Sequence, residues 1–148
     1  MNVGFFVHGL PRSQGSKRHL GGGRMIESSK YLKPWRNEVR MAAMLAMADK
    51  PPLEDGVQLR LHFFFERPKS HFGTGKNSER VKENAPRHHI SYPDLDKLER
   101  AIFDALATVC FVNDSQVCHL NSLKSYTTVP GSRLIGAAAG VHITLEEA

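Results

Sequence analysis

The sequence is poor in cysteine, and this scarcity limits the classes of protein that it can encode. Its 148 residues include only two cysteines, Cys110 and Cys118, which suggests no disulfide framework. A zinc site built from these two residues and His119 is disfavoured as well, because the paired CxxC spacing is missing. The cysteine content therefore fits a protein of a reducing cytosol.

Long apolar segments are also missing. No run of about 18 apolar residues occurs, which excludes a membrane-spanning helix. The opening residues, MNVGFFVHGLPR, lack a charged region followed by a long apolar core, so a signal peptide is not expected. The apolar content of 41% is ordinary for a globular chain, and the length suits one domain with a substantial core.

Acidic residues are outnumbered by basic ones. The chain has 20 lysines and arginines against 15 aspartates and glutamates, a formal net charge of +5. A basic balance favours a polyanionic partner. Many small basic proteins have no such partner, so the distribution of the charges is more informative than their sum.

Apolar periodicity predicts four strands and two helices. Period-two alternation indicates strands, and three- and four-residue spacing indicates helices. The predicted strands are residues 2–8, 57–66, 116–126 and about 134–145, and the predicted helices are residues 33–48 and about 95–107. The order β-α-β-loop-α-β-β predicts an α/β (α+β) fold. We expect a single domain, 1–148, with a small mixed sheet that carries two main helices.

Three aspartates stand out in the stretch YPDLDKLERAIFDALATVCFVNDS, residues 92–115. A proline precedes Asp94, so a helix is expected to begin at or just after Asp94, with Asp96 in its first turn. The run Thr108 to Asn113 is β-branched and aromatic in character. If this run is extended, its six residues cover about 20 Å, and an antiparallel return brings Asp114 back to the helix start.

Converging carboxylates repel one another unless a cation lies between them. Oxygen ligands suit a hard divalent cation, Mg²⁺ or Mn²⁺. Each aspartate also has a simpler interpretation, with Asp94 as a helix cap, Asp96 as a helix-dipole partner and Asp114 as a turn residue. The pattern by itself leaves both interpretations open.

Basic residues concentrate in two segments without periodicity. One follows the first strand and is rich in glycine and serine, and a solvated linker explains it equally well. The other runs from Arg67 to Tyr92 and leads directly to Asp94. A loop of this length is either functional or disordered, and we expect it to be mobile and to contact a phosphate backbone. The candidate DNA-binding residues are Arg12, Lys17, Arg18, Arg24, Arg67, Lys69, Lys76, Arg80, Lys82 and Arg87. His88 and His89 are interpreted as phosphate or solvent contacts.

Several motifs together are characteristic of one family. They are GLPRSQGSKR, the KPW helix start, RPKSHFGTGKN, PDLDKLERAIFDAL, NDSQV and a lysine, Lys124, in the strand that follows. The most specific pieces are PDLD at the helix start and the downstream NDSQV, in that order. The chain resembles the RusA family of Holliday-junction resolvases, particularly its phage-type members, and the resemblance runs nearly end to end.

The resemblance implies a homodimeric, Mg²⁺-dependent endonuclease, with Mn²⁺ as a possible substitute, in the cytoplasm of a bacterium or a phage-infected host. Such an enzyme nicks two opposed strands of a four-way DNA junction symmetrically. The catalytic and metal-binding acids of the family correspond to Asp94, Asp96 and Asp114. Arg100 and Lys124 correspond to cations that stabilise phosphate charge.

The sequence departs from the family pattern at two positions. Many members have lysine where Arg100 stands, and arginine keeps the charge but changes the geometry. Asn113 stands where the family often has a second aspartate. Asp104 lies about two turns beyond Asp96, and a structural role is favoured for it.

Two other functions fit parts of the sequence. A non-catalytic DNA-binding protein would use the basic loops alone, with the acids as helix caps. A sugar-nucleotide transferase would use D-x-D to hold Mn²⁺, but the chain is short and has no nucleotide-binding βαβ motif.

Overall fold

The computed structural model describes residues 1–15, 18–20, 24–26, 30–127 and 138–148, and only the backbone of residues 18–20 and 24–26. The strands among these residues are β1 (Asn2–His8), β2 (Arg18–Leu20), β3 (Arg24–Ile26), β4 (Val57–Phe65), β5 (Val117–Tyr126) and β6 (Gly140–Glu147). The helices are α1 (Leu32–Met47) and α2 (Leu95–Leu106). Three short 3₁₀ turns occur at Lys69–His71, Gly75–Asn77 and Asp114–Gln116.

The main sheet is mixed, with the strand order β1-β6-β4-β5. Strand β6 is antiparallel to both β1 and β4, whereas β4 and β5 are parallel. A parallel pair requires a crossover connection, and the segment containing α2 supplies it. The predicted fold class, one small mixed sheet with two helices, is confirmed.

Two helices cover one face of this sheet and form the core with it. Along β4, Val57, Leu59, Leu61, Phe63 and Phe65 are buried, as period-two alternation predicted. On α2 the buried stripe consists of Leu98, Ala101, Ile102, Ala105 and Leu106, and on α1 it consists of Leu32, Trp35, Val39, Ala43 and Met47. Trp35 belongs to this core, since it is only 4% exposed.

The predicted loop after β1 contains additional structure. Strands β2 and β3 form a small antiparallel ladder with Arg18 opposite Ile26 and Leu20 opposite Arg24. Three-residue strands are too short to produce a recognisable alternation, which explains why the sequence pattern indicated only a loop.

The last strand begins later than predicted, at Gly140 rather than about residue 134. A β-carbon on Gly140 would lie 2.2 Å from the carbonyl oxygen of Val7. The glycine is therefore required for the close approach of β6 to β1, rather than being a weak point within the strand. Residues 134–137, where the last strand was predicted to begin, lie outside the described residues.

The segment after α2 is a compact turn, so the prediction of an extended run from Thr108 to Asn113 is wrong. The amides of Val109 and Cys110 donate to the carbonyl of Leu106, and Cys110 and Phe111 are fully buried. Burial of these two side chains in the core folds the chain back on itself before it can extend. The guanidinium of Arg40 donates to the carbonyl of Ala107 at 3.0 Å and fixes the end of α2.

The loop from Arg67 to Tyr92 has local structure of its own. Its backbone hydrogen bonds include Gly73 N to Arg80 O and Lys82 N to His71 O, and Phe72 forms a bridge with Val81. Its mobility without DNA stays a prediction. None of the helices in the described ranges combines the length and apolar character required to cross a membrane.

Candidate active site

The two carboxylates of the PDLD motif lie where the sequence predicted them. Asp94 is the extended residue before α2, with φ −71° and ψ 141°, and Asp96 is in the first turn of the helix. The Asp94 side chain makes no capping hydrogen bond to the helix. Both carboxylates are exposed, at the positive end of the helix dipole. An exposed carboxylate pair at this position has oxygen atoms available to bind a ligand.

Lys124 fixes the segment that leads to these carboxylates. Its ammonium group donates to the carbonyl oxygens of Ser91 at 2.7 Å and Pro93 at 2.8 Å. Burial lowers the pKa of the Lys124 amine, and the nearby charge of Asp94 opposes this shift. Lys124, near the end of β5, therefore places a positive charge next to Asp94, although β5 begins at the opposite end of the sheet.

A third carboxylate near Asp96 was missed by the sequence analysis. Glu99 is half-buried, and its side chain forms a hydrogen bond with Ser122. Burial raises the pKa of Glu99, and the charge of Asp96 raises it further, while the bond to Ser122 lowers it. The i, i+3 spacing of Asp96 and Glu99, which lie on one helical face, is the pattern that would have revealed this residue.

Asp114 lies at the other end of the molecule from the helix start. It opens the 3₁₀ turn before β5, and Val117 pairs with Val57 at the beginning of β4. The seven-residue rise from Val117 to Lys124 covers about 23 Å of strand. Asp114 is therefore roughly 20 Å from Asp94, and the predicted return of Asp114 to the helix start within one chain is wrong.

Within the ranges that the structure describes, no group of three or more His, Cys, Asp or Glu side chains could hold a metal ion. The chain instead offers an aspartate pair, which is a possible arrangement for Mg²⁺, since this ion is commonly bound by one or two carboxylates with waters and substrate phosphates. The donor set of Asp94 and Asp96 fits such a cation, because both contribute hard oxygen ligands and both are exposed to solvent.

Lys97 forms the ion pair closest to this site. Its ammonium nitrogen is 3.2 Å from a carboxylate oxygen of Asp94, and both side chains are substantially exposed. Arg100 is also exposed and lies one turn after Asp96 on the same face of α2. The helix start thus combines two carboxylates with cations that could contact a phosphate.

Asp104 lies in the contact between the two helices. It accepts a hydrogen bond from Gln14, and Arg36 on α1 lies 3.8 Å from the same carboxylate oxygen. Arg36 also donates to the side-chain oxygen of Gln14 at 3.0 Å. These contacts support the structural role that the sequence analysis favoured for Asp104.

The turn that holds Asp114 is fixed by its neighbours. Asn113 and Gln116 form a reciprocal capping box, and the Gln116 amide also donates to the carbonyl oxygens of Leu53 and Asp55. The NDSQV motif therefore has a clear local role in presenting the exposed Asp114 side chain on a rigid turn.

The basic residues proposed to bind DNA have different environments. In the loop after β4, the side chains open to solvent are those of Lys69, Lys76, Arg80, Lys82 and Arg87. Arg12 is half-buried with its guanidinium 4.6 Å from the centre of the Tyr31 ring. Lys17 lies outside the described residues, and only the backbone of Arg18 and Arg24 is described, in β2 and β3.

Two residues of the long loop are engaged inside the protein rather than open to solvent. The Arg67 guanidinium lies over the Tyr126 ring at 4.3 Å and donates to the carbonyl of Pro86 at 2.7 Å. His89 is only 7% exposed and stacks on Phe65, so its interpretation as a phosphate or solvent contact is wrong. The His89 ring packs against Phe65 at the end of β4, whereas His88 is exposed, as expected.

Together, the fold and the site define a small α+β protein with an exposed carboxylate pair at a helix start, a lysine beside it and a basic loop leading to it. The chain belongs to the RusA family of endodeoxyribonucleases, because the family model described as endodeoxyribonuclease RusA matches residues 8–135, most of its length. The comparison with curated proteins gives no match.

Membership of this family identifies the protein as a nuclease that acts on DNA, with Holliday-junction resolution as the kind of activity that the family implies. Resolvases of this family are metal-dependent nucleases in general. The matched range contains Asp94, Asp96, Asp114 and Lys124.

Proposed function

We propose that the protein resolves four-way DNA junctions by paired, symmetric nicks in opposed strands, assisted by Mg²⁺, with Mn²⁺ as a possible substitute. The observation that carries this proposal is the exposed pair Asp94 and Asp96 beside Lys124 in a chain of the RusA family. A basic polypeptide with an exposed carboxylate pair at one helix start is suited to binding DNA around a cation site.

Asp94 and Asp96 would hold the cation through their oxygen atoms. When bound, a divalent cation stabilises the charge that develops on the phosphate and makes water acidic enough to react at neutral pH. Lys124 would act on the same phosphate through its charge and would keep the peptide segment before Asp94 in position. Arg100, one turn further along α2, would contribute a second positive charge to the transition state.

Asp114 requires a second copy of the chain to join this site. About 20 Å separates it from Asp94 within one chain, as the rise of the β5 strand indicates. A homodimer with twofold symmetry would bring the helix start of each subunit to the Asp114 turn of the other. Each of the two sites would then have three carboxylates, and each would face one of the two strands to be cut.

The basic segments would grip the arms of the junction. Exposed lysines and arginines contact phosphates without reading sequence, so they supply affinity rather than specificity. The exposed cations between β4 and α2 fit this role best, because the loop that carries them leads directly to Asp94. Arg12, Lys17, Arg18 and Arg24 belong to the same proposal as a second basic segment.

The decisive experiment compares a synthetic four-way junction with a linear duplex, each labelled on individual strands, with and without Mg²⁺. We expect paired nicks at opposed positions of the junction, dependence on the cation and little cleavage of the duplex. Tight junction binding without any cation-dependent nicking would contradict the proposal and favour the non-catalytic DNA-binding function.

A further inference from the structure

A cavity of about 930 Å³ lies beside the candidate active site and has no role in the mechanism proposed above. It opens where β1, β4 and β5 end and β6 begins, and the loop after β4 closes one side. Its volume is within the range of small-molecule sites in proteins. A cavity of this size at this end of the sheet is large enough to accommodate a small ligand.

Aromatic side chains form part of the walls of the cavity. His89 stacks on Phe65 with 4.4 Å between ring centres and lies 5.0 Å from the Tyr126 ring. His71 meets the same tyrosine edge-on, and the Arg67 guanidinium lies over it. Aromatic rings and guanidinium planes of this kind are the surfaces on which proteins stack unpaired bases.

The electrostatics of the cavity suit a neutral flat ligand better than a phosphate. The Arg67 guanidinium lies over the Tyr126 ring and donates a hydrogen bond to the Pro86 carbonyl. Burial lowers the pKa of His89, and the charge of Lys124 lowers it further, while a backbone hydrogen bond opposes the shift, so the cavity disfavours a positive charge on this imidazole. A phosphate subsite would instead direct charged donors at the anion.

The rim of the cavity is apolar and exposed. Leu10 is 48% exposed and Ile90 is 79% exposed, although both are large hydrophobic side chains. Tyr92, 71% exposed, lies near this rim, and its hydroxyl shares a hydrogen bond of 2.7 Å with the buried Ser13. Exposed apolar side chains around a cavity indicate a surface that contacts a ligand.

The cavity and the candidate active site share structural elements. Ser91 lines the cavity, while its carbonyl accepts a hydrogen bond from Lys124. Tyr126 lines the cavity two residues after Lys124 on β5, so the two side chains leave the same face of the sheet about 7 Å apart along the strand. A DNA strand whose phosphate lies at Lys124 would therefore have a neighbouring base within reach of the cavity.

We propose that this cavity binds one unstacked nucleobase of the junction, next to the phosphodiester that is cut, and thereby selects where cleavage occurs. The inference rests on the proposed function and deepens it. Branched DNA is a suitable source of such a base, because bases at the branch point have fewer stacking neighbours and cost less to extrude.

The test combines substrate and protein changes in one cycle. A series of junctions carries a single abasic site at each of the three nucleotides on either side of the cleaved bond. We expect one position at which base removal slows single-turnover nicking by the wild type by about tenfold, the size of one stacked base. The Tyr126→Leu variant should nick the intact junction about tenfold more slowly than the wild type does. Removal of the base at the sensitive position should then slow nicking by this variant little further.

Two histidines provide a matched control pair. His71→Leu alters the cavity wall and should reduce the effect of base removal on the nicking rate. His119 is exposed at the beginning of β5, so His119→Leu should leave that effect unchanged. Thermal melting monitors folding of every variant. If Tyr126→Leu does not fold, His71→Leu and the abasic series with the wild type still decide the question.

A fluorescent 2-aminopurine at the sensitive position gives a direct measurement. With junction bound in a chelator, its emission should change in complexes with the wild type and His119→Leu but not with His71→Leu. Nicking by the wild type with equal rates on all abasic junctions would overturn this inference and leave the proposed function intact. Absence of junction nicking by the wild type would overturn the proposed function, and this inference with it.

Discussion

At the scale of single residues, the site is a balance of charges around one helix start. Asp94, Asp96 and Glu99 are acidic groups within six consecutive residues, and Lys97 and Lys124 lie among them. The hydrogen bonds from Lys124 to the Ser91 and Pro93 carbonyls hold the peptide rather than the carboxylates. The aspartates therefore keep oxygen atoms available for a ligand.

Replacement of Asp96 by Asn tests the proposed cation site. The change removes one negative charge and preserves size, so folding should be nearly unchanged or slightly improved as repulsion decreases. Cleavage should fall by orders of magnitude, since the cation is no longer held correctly, while junction binding in a chelator should persist or tighten. The measurements are junction cleavage in Mg²⁺, binding and thermal melting.

Asp104→Asn is the matched control on the same helix. This position contacts Gln14 and Arg36 between the helices, so its replacement should lower the melting temperature while the folded protein still cleaves the junction. Retained cleavage by Asp96→Asn would remove Asp96 from the proposed site.

Glu99→Gln tests the charge repulsion at the helix start through its pH dependence. Because the pKa of Glu99 is raised in the folded protein, chiefly by burial, the native state binds the proton more tightly than the unfolded chain. The native state is therefore penalised as pH rises through the raised pKa, and the penalty is absent below the unfolded pKa, where both states are protonated. We expect Glu99→Gln to increase the free energy of unfolding by about 0.5 kcal/mol at pH 7, as for a relieved like-charge helix pair.

The same substitution should have little effect near pH 4, where wild-type Glu99 is largely protonated in both states. Urea unfolding of both proteins at the two pH values provides the measurement. A stabilisation that is equal at both pH values would show that the carboxylate charge is not its cause.

At the scale of elements, the loop between β4 and α2 combines two surfaces with different roles. Its outward side carries exposed cations, and its inward side contributes His89 and Arg67 to the cavity beside the helix start. Its backbone hydrogen bonds, such as the one from the Gly73 amide to the Arg80 carbonyl, fix the positions of the two sides relative to each other. A single connection therefore carries the cations proposed to bind phosphate and leads directly to Asp94.

Neutralisation of Lys76, Arg80 and Lys82 together tests the outward side. Each phosphate contact releases counterions, so loss of three contacts should reduce the slope of log affinity against log salt by about 3. Titration of junction binding between low and moderate salt measures this slope. We expect weaker binding to all DNA structures, since phosphate contacts do not read sequence.

A control variant neutralises Lys33, Lys50 and Arg60, three exposed cations outside this loop, for the same change in net charge. Its salt slope should remain close to that of the wild type. An unchanged slope in the loop variant as well would exclude Lys76, Arg80 and Lys82 as DNA contacts.

At the scale of the whole molecule, the role proposed for Asp114 depends on a second copy of the chain. The parallel β4–β5 pair places Asp114 at one end of the sheet and Lys124 towards the other, so the two halves of the proposed site are separated by the length of a strand. A dimer should form in solution at micromolar concentration, as light scattering would detect. A monomer even in the presence of junction DNA would contradict the proposal.

Mixed dimers test whether the site is shared between subunits. Asp94→Asn and Asp114→Asn should each be inactive as homodimers, but a doubly tagged mixed dimer of the two should nick one strand, because it retains one complete site. A mixed dimer of wild type and the double variant, which carries both substitutions, should be inactive, because each of its two sites then lacks one aspartate. The reverse pattern, in which only the second mixed dimer nicks, would place all three acids of a site in one subunit.

The sequence by itself determined the elements and the helix start. Alternation in residues 57–65 and the apolar spacing from Leu95 to Leu106 are local patterns, and local patterns are what strand pleating and helical periodicity produce. The position of Asp94 before the helix and of Asp96 within it follows from adjacent residues alone. For this reason the fold class and the placement of Asp94 and Asp96 at the helix start were predicted correctly.

Only the tertiary structure decided which distant residues meet. Burial of Cys110 and Phe111 turns the chain tightly after α2, so that Lys124 rather than Asp114 reaches the helix start. The contact of Glu99 with Ser122 and the stacking of His89 on Phe65 likewise depend on strand register and core packing. Such contacts join residues far apart in the chain, and their formation depends on how the whole core is filled, which no local pattern encodes.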